Sequence, residues 1–141
     1  MRVKLDIDFK PLHSRLDAEV SKVYRGTKKA TIQAARAIMD DSLDEVPKDS
    51  WTLANSAFWD VTGSYKDFEA VLGYGGNGDP VHPTKGYRAS EYMVVVHEDL
   101  TAVHPNGKAK FLEDPIRRYV ADRFPRAIIK AYKEEGVGDT Y

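Results

Sequence analysis

The chain has 141 residues, of which 42% are hydrophobic and 30% charged, and its formal net charge is −1. This length and apolar content predict one domain spanning residues 1–141 with a modest core. The small net charge provides no overall attraction to nucleic acid or to an anionic membrane. The absence of cysteine excludes disulfides and thiolate chemistry, and no run approaches the roughly 18 apolar residues that a membrane span needs.

The first two predicted elements are a strand and a long helix. Apolar and charged residues alternate over residues 3–9, which is the period of a half-buried strand, and Pro11 is expected to end it. From Ser14, the predicted amino-terminal cap, apolar residues recur at three- and four-residue steps. This pattern predicts an amphipathic helix that ends no later than Pro47.

A hairpin and a long loop are predicted next. Residues 57–62 and 68–74 are rich in β-branched and aromatic side chains, and the glycine-containing turn between them is short enough for antiparallel pairing. Residues 75–90 contain glycines, prolines and polar side chains, which predicts an exposed loop within the domain.

The carboxy-terminal half is predicted to contain one more strand and a kinked helix. Residues 91–97 are apolar and β-branched, which favours a central strand. Asp114 as N-cap and Pro115 in the first turn predict the start of a helix, and Pro125 predicts a kink or a break near Phe124 before Gly136 ends it. We therefore expect an α+β fold, in which a mainly antiparallel sheet of about four strands is covered by a long N-terminal helix and a kinked C-terminal helix.

The best candidate for a catalytic or metal site is the sequence around His97, Glu98 and His104. Imidazole and carboxylate groups bind zinc or iron, so a small metal-dependent hydrolase is one alternative. The spacing matches no helical metal motif, and loop carboxylates beside a histidine are commonly just solvated or hydrogen-bonded. No serine lies in a nucleophile-elbow context, and the glycine-rich residues 73–78 lack the lysine of a phosphate-binding loop. We expect no enzymatic activity, no metal and no cofactor.

Basic residues at helical spacing form a second candidate feature, the basic stripe of Lys22, Arg25, Lys29 and Arg36 on the predicted long helix. A solvated face is the simplest interpretation. Contact with an acidic neighbouring subunit and direct DNA binding by a regulator are the functional alternatives.

Four segments resemble the tailed-phage head-tail joining proteins, the neck or minor-capsid family. Residues 46–56 (VPKDSWTLANS) are similar to the motif that follows the first helix, with Trp51 in the place of the usual glycine. Residues 71–74 (VLGY) and 91–98 (EYMVVVHE) resemble two strands of the family, the second with Met93 in place of a small residue. Residues 108–115 (KAKFLEDP) are similar to the entry into the carboxy-terminal helix.

This resemblance implies a structural virion protein made in the host cytoplasm. Six or twelve copies would form a ring at the neck that joins the portal-side adaptor or head-closure proteins to the tail proteins. Packaged DNA would pass through the lumen without sequence-specific contact, and no membrane is involved. A tail-terminator or tail-completion ring protein is the nearest alternative.

We expect residues 75–90 and 97–110 to contact neighbouring rings, because long polar loops are commonly kept for a function. The predicted interface residues are Lys22, Arg25, Lys29, Arg36, Trp51, Gly75, Gly76, His82, Tyr87, His97, Glu98 and His104.

Overall fold

A computed structural model describes residues 8–64, 67–76, 78–104 and 106–139. The strand predicted for residues 3–9 lies almost entirely outside these ranges. The elements in chain order are α1 (Lys10–Glu45), α2 (Thr52–Asn55), β1 (Phe58–Ser64), β2 (Asp67–Gly73), α3 (Ala89–Glu98), α4 (Glu113–Arg118), a π-helical turn (Tyr119–Arg123) and α5 (Phe124–Glu134).

Helix α1 begins four residues before the predicted cap. Pro11 lies in its first turn, where a missing N–H costs nothing, so it helps to start the helix rather than only ending a strand. Asp8 Oδ1 accepts a hydrogen bond from the backbone N–H of Lys10 at 3.0 Å, and Ser14 is not the cap. The helix ends at Glu45, and Val46 is extended as expected for a residue before proline. The predicted end is confirmed.

The predicted hairpin is confirmed, but the sheet is smaller than predicted. β1 and β2 pair antiparallel in a register that joins Phe58 to Gly73 and Ser64 to Asp67. These two are the complete sheet in the described part of the chain, so the prediction of about four strands is wrong. Helix α1 packs against both strands. The fold is therefore α+β, with a two-stranded sheet and helices for the remaining elements of the described chain.

The predicted central strand at residues 91–97 is instead helix α3. The Glu91 carboxylate accepts a hydrogen bond from the backbone N–H of Arg88 at 2.7 Å, which caps the first turn. Ala89, Tyr92, Met93 and Val96 pack on the core, while Val94 and Val95 are exposed. This burial follows the i, i+3, i+4, i+7 spacing of a helix, so packing and capping override the strand preference of the valine run.

The predicted break in the last helix is confirmed. The chain passes from α4 through a π-helical turn into α5, and Pro125 lies in the first turn of α5. The backbone N–H of Phe124 bonds to Tyr119 O, one residue further back than in an α-helix. The helix ends just before Gly136, which has a φ of 70°. Asp114 is not the cap, because α4 begins at Glu113.

The core has two clusters that Leu72 of β2 joins. The larger cluster lies under α3 and contains Met39, Val46, Leu53, Tyr74 and Phe111, and the smaller one lies between α1 and the π-helical turn. Tyr74 meets the ring of Phe111 edge-on at 5.1 Å. The last turns of α1 therefore hold the hairpin, α3 and the chain after residue 106 around one centre.

Candidate functional site

The two loops predicted to contact neighbouring rings meet around one cavity of about 130 Å³. His82, Lys85 and Tyr87 come from the first loop and His104 from the second. The remaining lining residues come from the turn after α1, from α2 and from α3: Pro47, Asp49, Ser50, Leu53, Tyr92 and Val96. The fold thus brings three of the predicted interface residues together.

Aromatic rings form one wall of this cavity. The centroids of Tyr87 and Tyr92 are 4.7 Å apart, and the His82 ring lies 5.5 Å from Tyr87. His82 Nδ1 accepts hydrogen bonds from the backbone N–H groups of Thr84 and Lys85, each at 3.3 Å, so the proton of the neutral ring lies on Nε2. A backbone bond from His82 N–H to Tyr87 O, 2.9 Å long, closes this turn of the loop.

Ser50 and Tyr92 bring hydroxyl groups to the lining of the cavity. Ser50 Oγ and Thr52 Oγ1 are 2.8 Å apart. Burial raises the pKa of Tyr92, and hydrogen bonds with the side chains of Thr52 and Ser50 partly offset that rise. Tyr92 therefore remains a neutral hydrogen-bonding group at physiological pH.

His104 supplies a polar atom that lacks a partner among the described residues. Its Nε2 is buried and has no hydrogen bond there. Such a group carries a desolvation cost of about 1–3 kcal/mol. A hydrogen-bonding group from a neighbouring molecule, entering the cavity, would remove that cost.

Trp51 lies beside the cavity at the turn between α1 and α2. Its φ is 60°, in the left-handed region, and 57% of its surface is exposed. Glycine adopts this conformation without strain, whereas a side chain costs roughly 1–2 kcal/mol there. The position therefore has the backbone geometry that the glycine of the resembling motif would favour.

His97 and Glu98 lie close together, and their polar atoms contact each other and neighbouring residues of the same chain. His97 Nδ1 is 2.7 Å from Glu98 Oε1, and His97 Nε2 accepts the backbone N–H of Glu113 at 3.4 Å. Lys110 chiefly, and His97 next, lower the pKa of Glu98. His104 is not part of this pair and lines the cavity described above. Among the described residues, no group of three histidine, aspartate or glutamate side chains is arranged to hold a metal ion.

Most of the basic stripe, which lies on α1, contacts the end of the carboxy-terminal helix. Arg25 Nε is 2.8 Å from Glu135 Oε2, Lys29 pairs with Glu134, and Lys22 Nζ donates to Gly136 O at 3.0 Å and to Glu19 at 2.7 Å. Arg36 is exposed. These contacts neutralise much of the stripe within the chain. The acidic pair at residues 134–135 is a sequence signal for this docking, because its charge is opposite to that of the stripe.

Gly75 and Gly76 are packing positions at the start of the loop. A β-carbon at Gly76 would lie 2.5 Å from the Phe58 ring, and one at Gly75 would lie 2.9 Å from the backbone of Ser90. Their N–H groups donate to Ser56 Oγ and Ser56 O. Both residues hold the loop against the hairpin and α3.

Large apolar side chains are exposed on α3 and in the loop that follows it, and their exposure could not be predicted from the sequence. Val94 and Val95 of α3 are 59% and 65% exposed, and Leu100 and Val103 in the following loop are 75% and 89% exposed. The strand predicted for residues 91–97 would have buried both valines. We call these four residues the α3 apolar surface.

Comparison with known proteins found no matching family model, no matching curated protein and no matching solved structure. Within the described ranges, none of the helices has both the length and the apolar character required to cross a bilayer.

Proposed function

We propose that this chain is a structural subunit of a tailed-phage neck, in which copies assemble into a ring that joins the head-closure side to the tail. The proposal rests on the sequence resemblance together with the surfaces described above. In this role the cavity and its two loops bind an adjacent protein layer, and DNA passes through the lumen.

The observation that carries the proposal is the α3 apolar surface. Four large apolar side chains within ten residues of chain, each more than half exposed, indicate an interaction site in a folded domain. The cavity, which Tyr92 and Val96 of α3 also line, adds polar groups and aromatic rings, which are the usual components of a protein interface. Burying this surface against another subunit would stabilise the assembly by about 25 cal/mol for each Å² of apolar area.

The turn at Trp51 supports the resemblance to the neck family. In the resembling motif this position is glycine, and here the backbone has a φ of 60° although the residue is tryptophan. A backbone conformation that is costly for tryptophan is maintained by its surroundings. Glycine adopts this conformation without strain, so the geometry of this turn is the one that the motif's glycine would favour.

Native mass spectrometry and electron microscopy of the purified full-length protein test the ring. Closed rings of six or twelve copies are expected for the wild type. Val95→Glu should reduce the ring population at least tenfold while the circular dichroism spectrum is unchanged, because it places a charge in the subunit contact. Gln33→Glu adds the same charge at an exposed polar position of α1 and is the matched control.

Two results would contradict the proposal: a wild-type protein without rings, or rings that Val95→Glu leaves intact. Where rings form, electron cryo-microscopy of a whole virion containing this chain distinguishes the neck from the tail-terminator position, because the two lie on opposite sides of the head-tail joint.

A further inference from the structure

The amino-terminal part of α1 projects beyond the rest of the described chain. Every residue from Asp8 to Ala18 is exposed. This segment nevertheless carries large apolar side chains on one face. The α1 apolar stripe consists of Phe9, Leu12, Leu16, Val20 and Val23, which are 37–54% exposed. At 100° per residue these five side chains fall within an arc of about 80°.

The α1 apolar stripe continues into a groove of about 480 Å³. The groove lies between α1, β2 and α5, and Val20, Val23, Phe68 and Tyr132 line it. Phe68 is held by a ring contact with Tyr24, with centroids 5.2 Å apart. The projecting end and the groove thus lie on the same face of one helix and meet at Leu16, which also lines the groove.

A projecting helix with this composition requires a cover. Isolated helices shorter than about 12–15 residues are marginal in water, and most helical stability in proteins comes from packing of an apolar face. Among the described residues, none covers the face of α1 between Phe9 and Leu16.

We propose that two copies of this chain pair through antiparallel α1 helices centred on Leu16. A two-fold axis at Leu16 places Leu12 of each copy opposite Val20 of the other. It places Phe9 opposite Val23, so that each projecting end fills the groove of the second copy. This one arrangement covers the projecting end of α1 and the groove in both copies, as expected for a closed isologous dimer.

The charges beside the stripe favour this direction. In the antiparallel pair, Arg15 of one copy lies next to Glu19 of the other, and Asp8 lies next to Lys22 of the other. Glu19 and Lys22 are already 2.7 Å apart within one copy, so the contacts extend an existing ion pair into a row of alternating charge. A parallel pair would move these four charged residues of the two copies to opposite sides of the seam, and Phe9 would not reach the groove at Val23 of the other copy.

This dimer goes beyond the proposed ring and uses a different surface. The ring contact is assigned to the α3 apolar surface, whereas the dimer needs only α1 and its groove. Loss of either assembly through a variant therefore leaves the other measurable.

Cysteine cross-linking tests the dimer, because the chain has no cysteine of its own. Under mild oxidation Leu16→Cys should form a disulfide-linked dimer in most of the protein. Phe9→Cys alone should not, because its two copies would stand about 21 Å apart along the helix axis. A mixture of Phe9→Cys and Val23→Cys proteins should cross-link. Gln33→Cys, exposed on α1 and outside both proposed contacts, measures cross-linking by random collision.

Light scattering of unmodified protein gives the second readout. The wild type should contain the two-fold dimer, and Leu16→Glu should raise its dissociation constant about a hundredfold or more while retaining the helical spectrum. Failure of Leu16→Cys to cross-link above the Gln33→Cys level overturns the proposal, as does efficient self-cross-linking of Phe9→Cys. A monomeric wild type, with α1 covered by its own chain, also overturns it.

Discussion

The ring of Tyr132 in α5 lies directly against Gly26 in α1. A β-carbon on Gly26 would stand 2.6 Å from Tyr132 Cδ1, closer than side chains approach one another. The Tyr132 hydroxyl also hydrogen-bonds Thr27 Oγ1 at 2.9 Å. A glycine that weakens the middle of a long helix is therefore the residue that lets the carboxy-terminal helix approach.

Gly26→Ala should destabilise the protein by about 1–3 kcal/mol, because the added methyl group displaces a packed ring. At an unhindered helical site the same change would stabilise the helix by roughly 0.5–1 kcal/mol, so the sign of the effect is diagnostic. Urea unfolding measures it. In a Tyr132→Ala background Gly26→Ala should become stabilising, and a stabilised single variant would contradict the packing described here.

Trp51→Gly should raise the free energy of unfolding by about 0.5–1 kcal/mol. Glycine removes the strain of the left-handed conformation, although its greater freedom in the unfolded chain cancels part of the gain. Trp51→Ala removes the same exposed ring but retains the β-carbon, so it is the matched control and should show no such gain. Equal stabilisation by both variants would attribute the effect to loss of the exposed ring instead.

The buried pair of Ser42 and Tyr74 should be coupled. Their hydroxyl oxygens are 2.7 Å apart. Ser42→Ala and Tyr74→Phe should each cost about 1–3 kcal/mol, since each leaves a buried hydroxyl without its partner. The double variant should cost less than the sum of the two. Additive losses in urea unfolding would show that the two hydroxyls do not depend on each other.

Tyr74 should also make stability depend on pH in the alkaline range. Burial raises the pKa of Tyr74 from 10.0 to about 12, against a smaller lowering by the Ser42 hydrogen bond. The unfolded chain loses the Tyr74 proton at a lower pH than the folded protein does. The contribution of Tyr74 to the free energy of unfolding is therefore complete below pH 10 and is lost as the pH rises from 10 to 12. The difference between wild-type and Tyr74→Phe unfolding free energies isolates it from the lysines that titrate nearby. A difference that does not change over this range would contradict the assignment.

His104→Leu should increase stability and impair assembly. The imidazole Nε2 is buried without a described partner, so an apolar replacement removes a desolvation cost of about 1 kcal/mol. His82→Leu is the contrasting variant, because His82 Nδ1 accepts two backbone N–H groups and its loss should destabilise the loop. If His104→Leu lowers the unfolding midpoint, His104 is a structural residue and not an interface residue.

Several elements could be predicted from local sequence alone. The hairpin, the end of α1 before Pro47 and the break before Pro125 depend on residues close to one another in the chain. Proline fixes its own φ and lacks an N–H wherever it occurs, so its consequences do not depend on the rest of the fold.

Elements whose structure depends on distant contacts could not be predicted from local sequence patterns. Residues 91–97 satisfy the pattern of a buried strand, and only packing of Tyr92, Met93 and Val96 on the core selects a helix. The spacing of these residues was a signal that the valine run concealed. Because residues 91–97 form a helix, they add no strand to the two-stranded sheet of the described chain, and Val94 and Val95 are exposed.

The candidate site shows the same division. Its residue types were visible in the sequence, but the loops carrying His82 and His104 meet only because both pack around the end of α1. The basic side chains at Lys22, Arg25 and Lys29 were visible too, and only the docking of α5 gives them their acidic partners. Turn formers and periodicity act over a few residues, whereas burial and charge pairing depend on which surfaces the folded chain brings into contact.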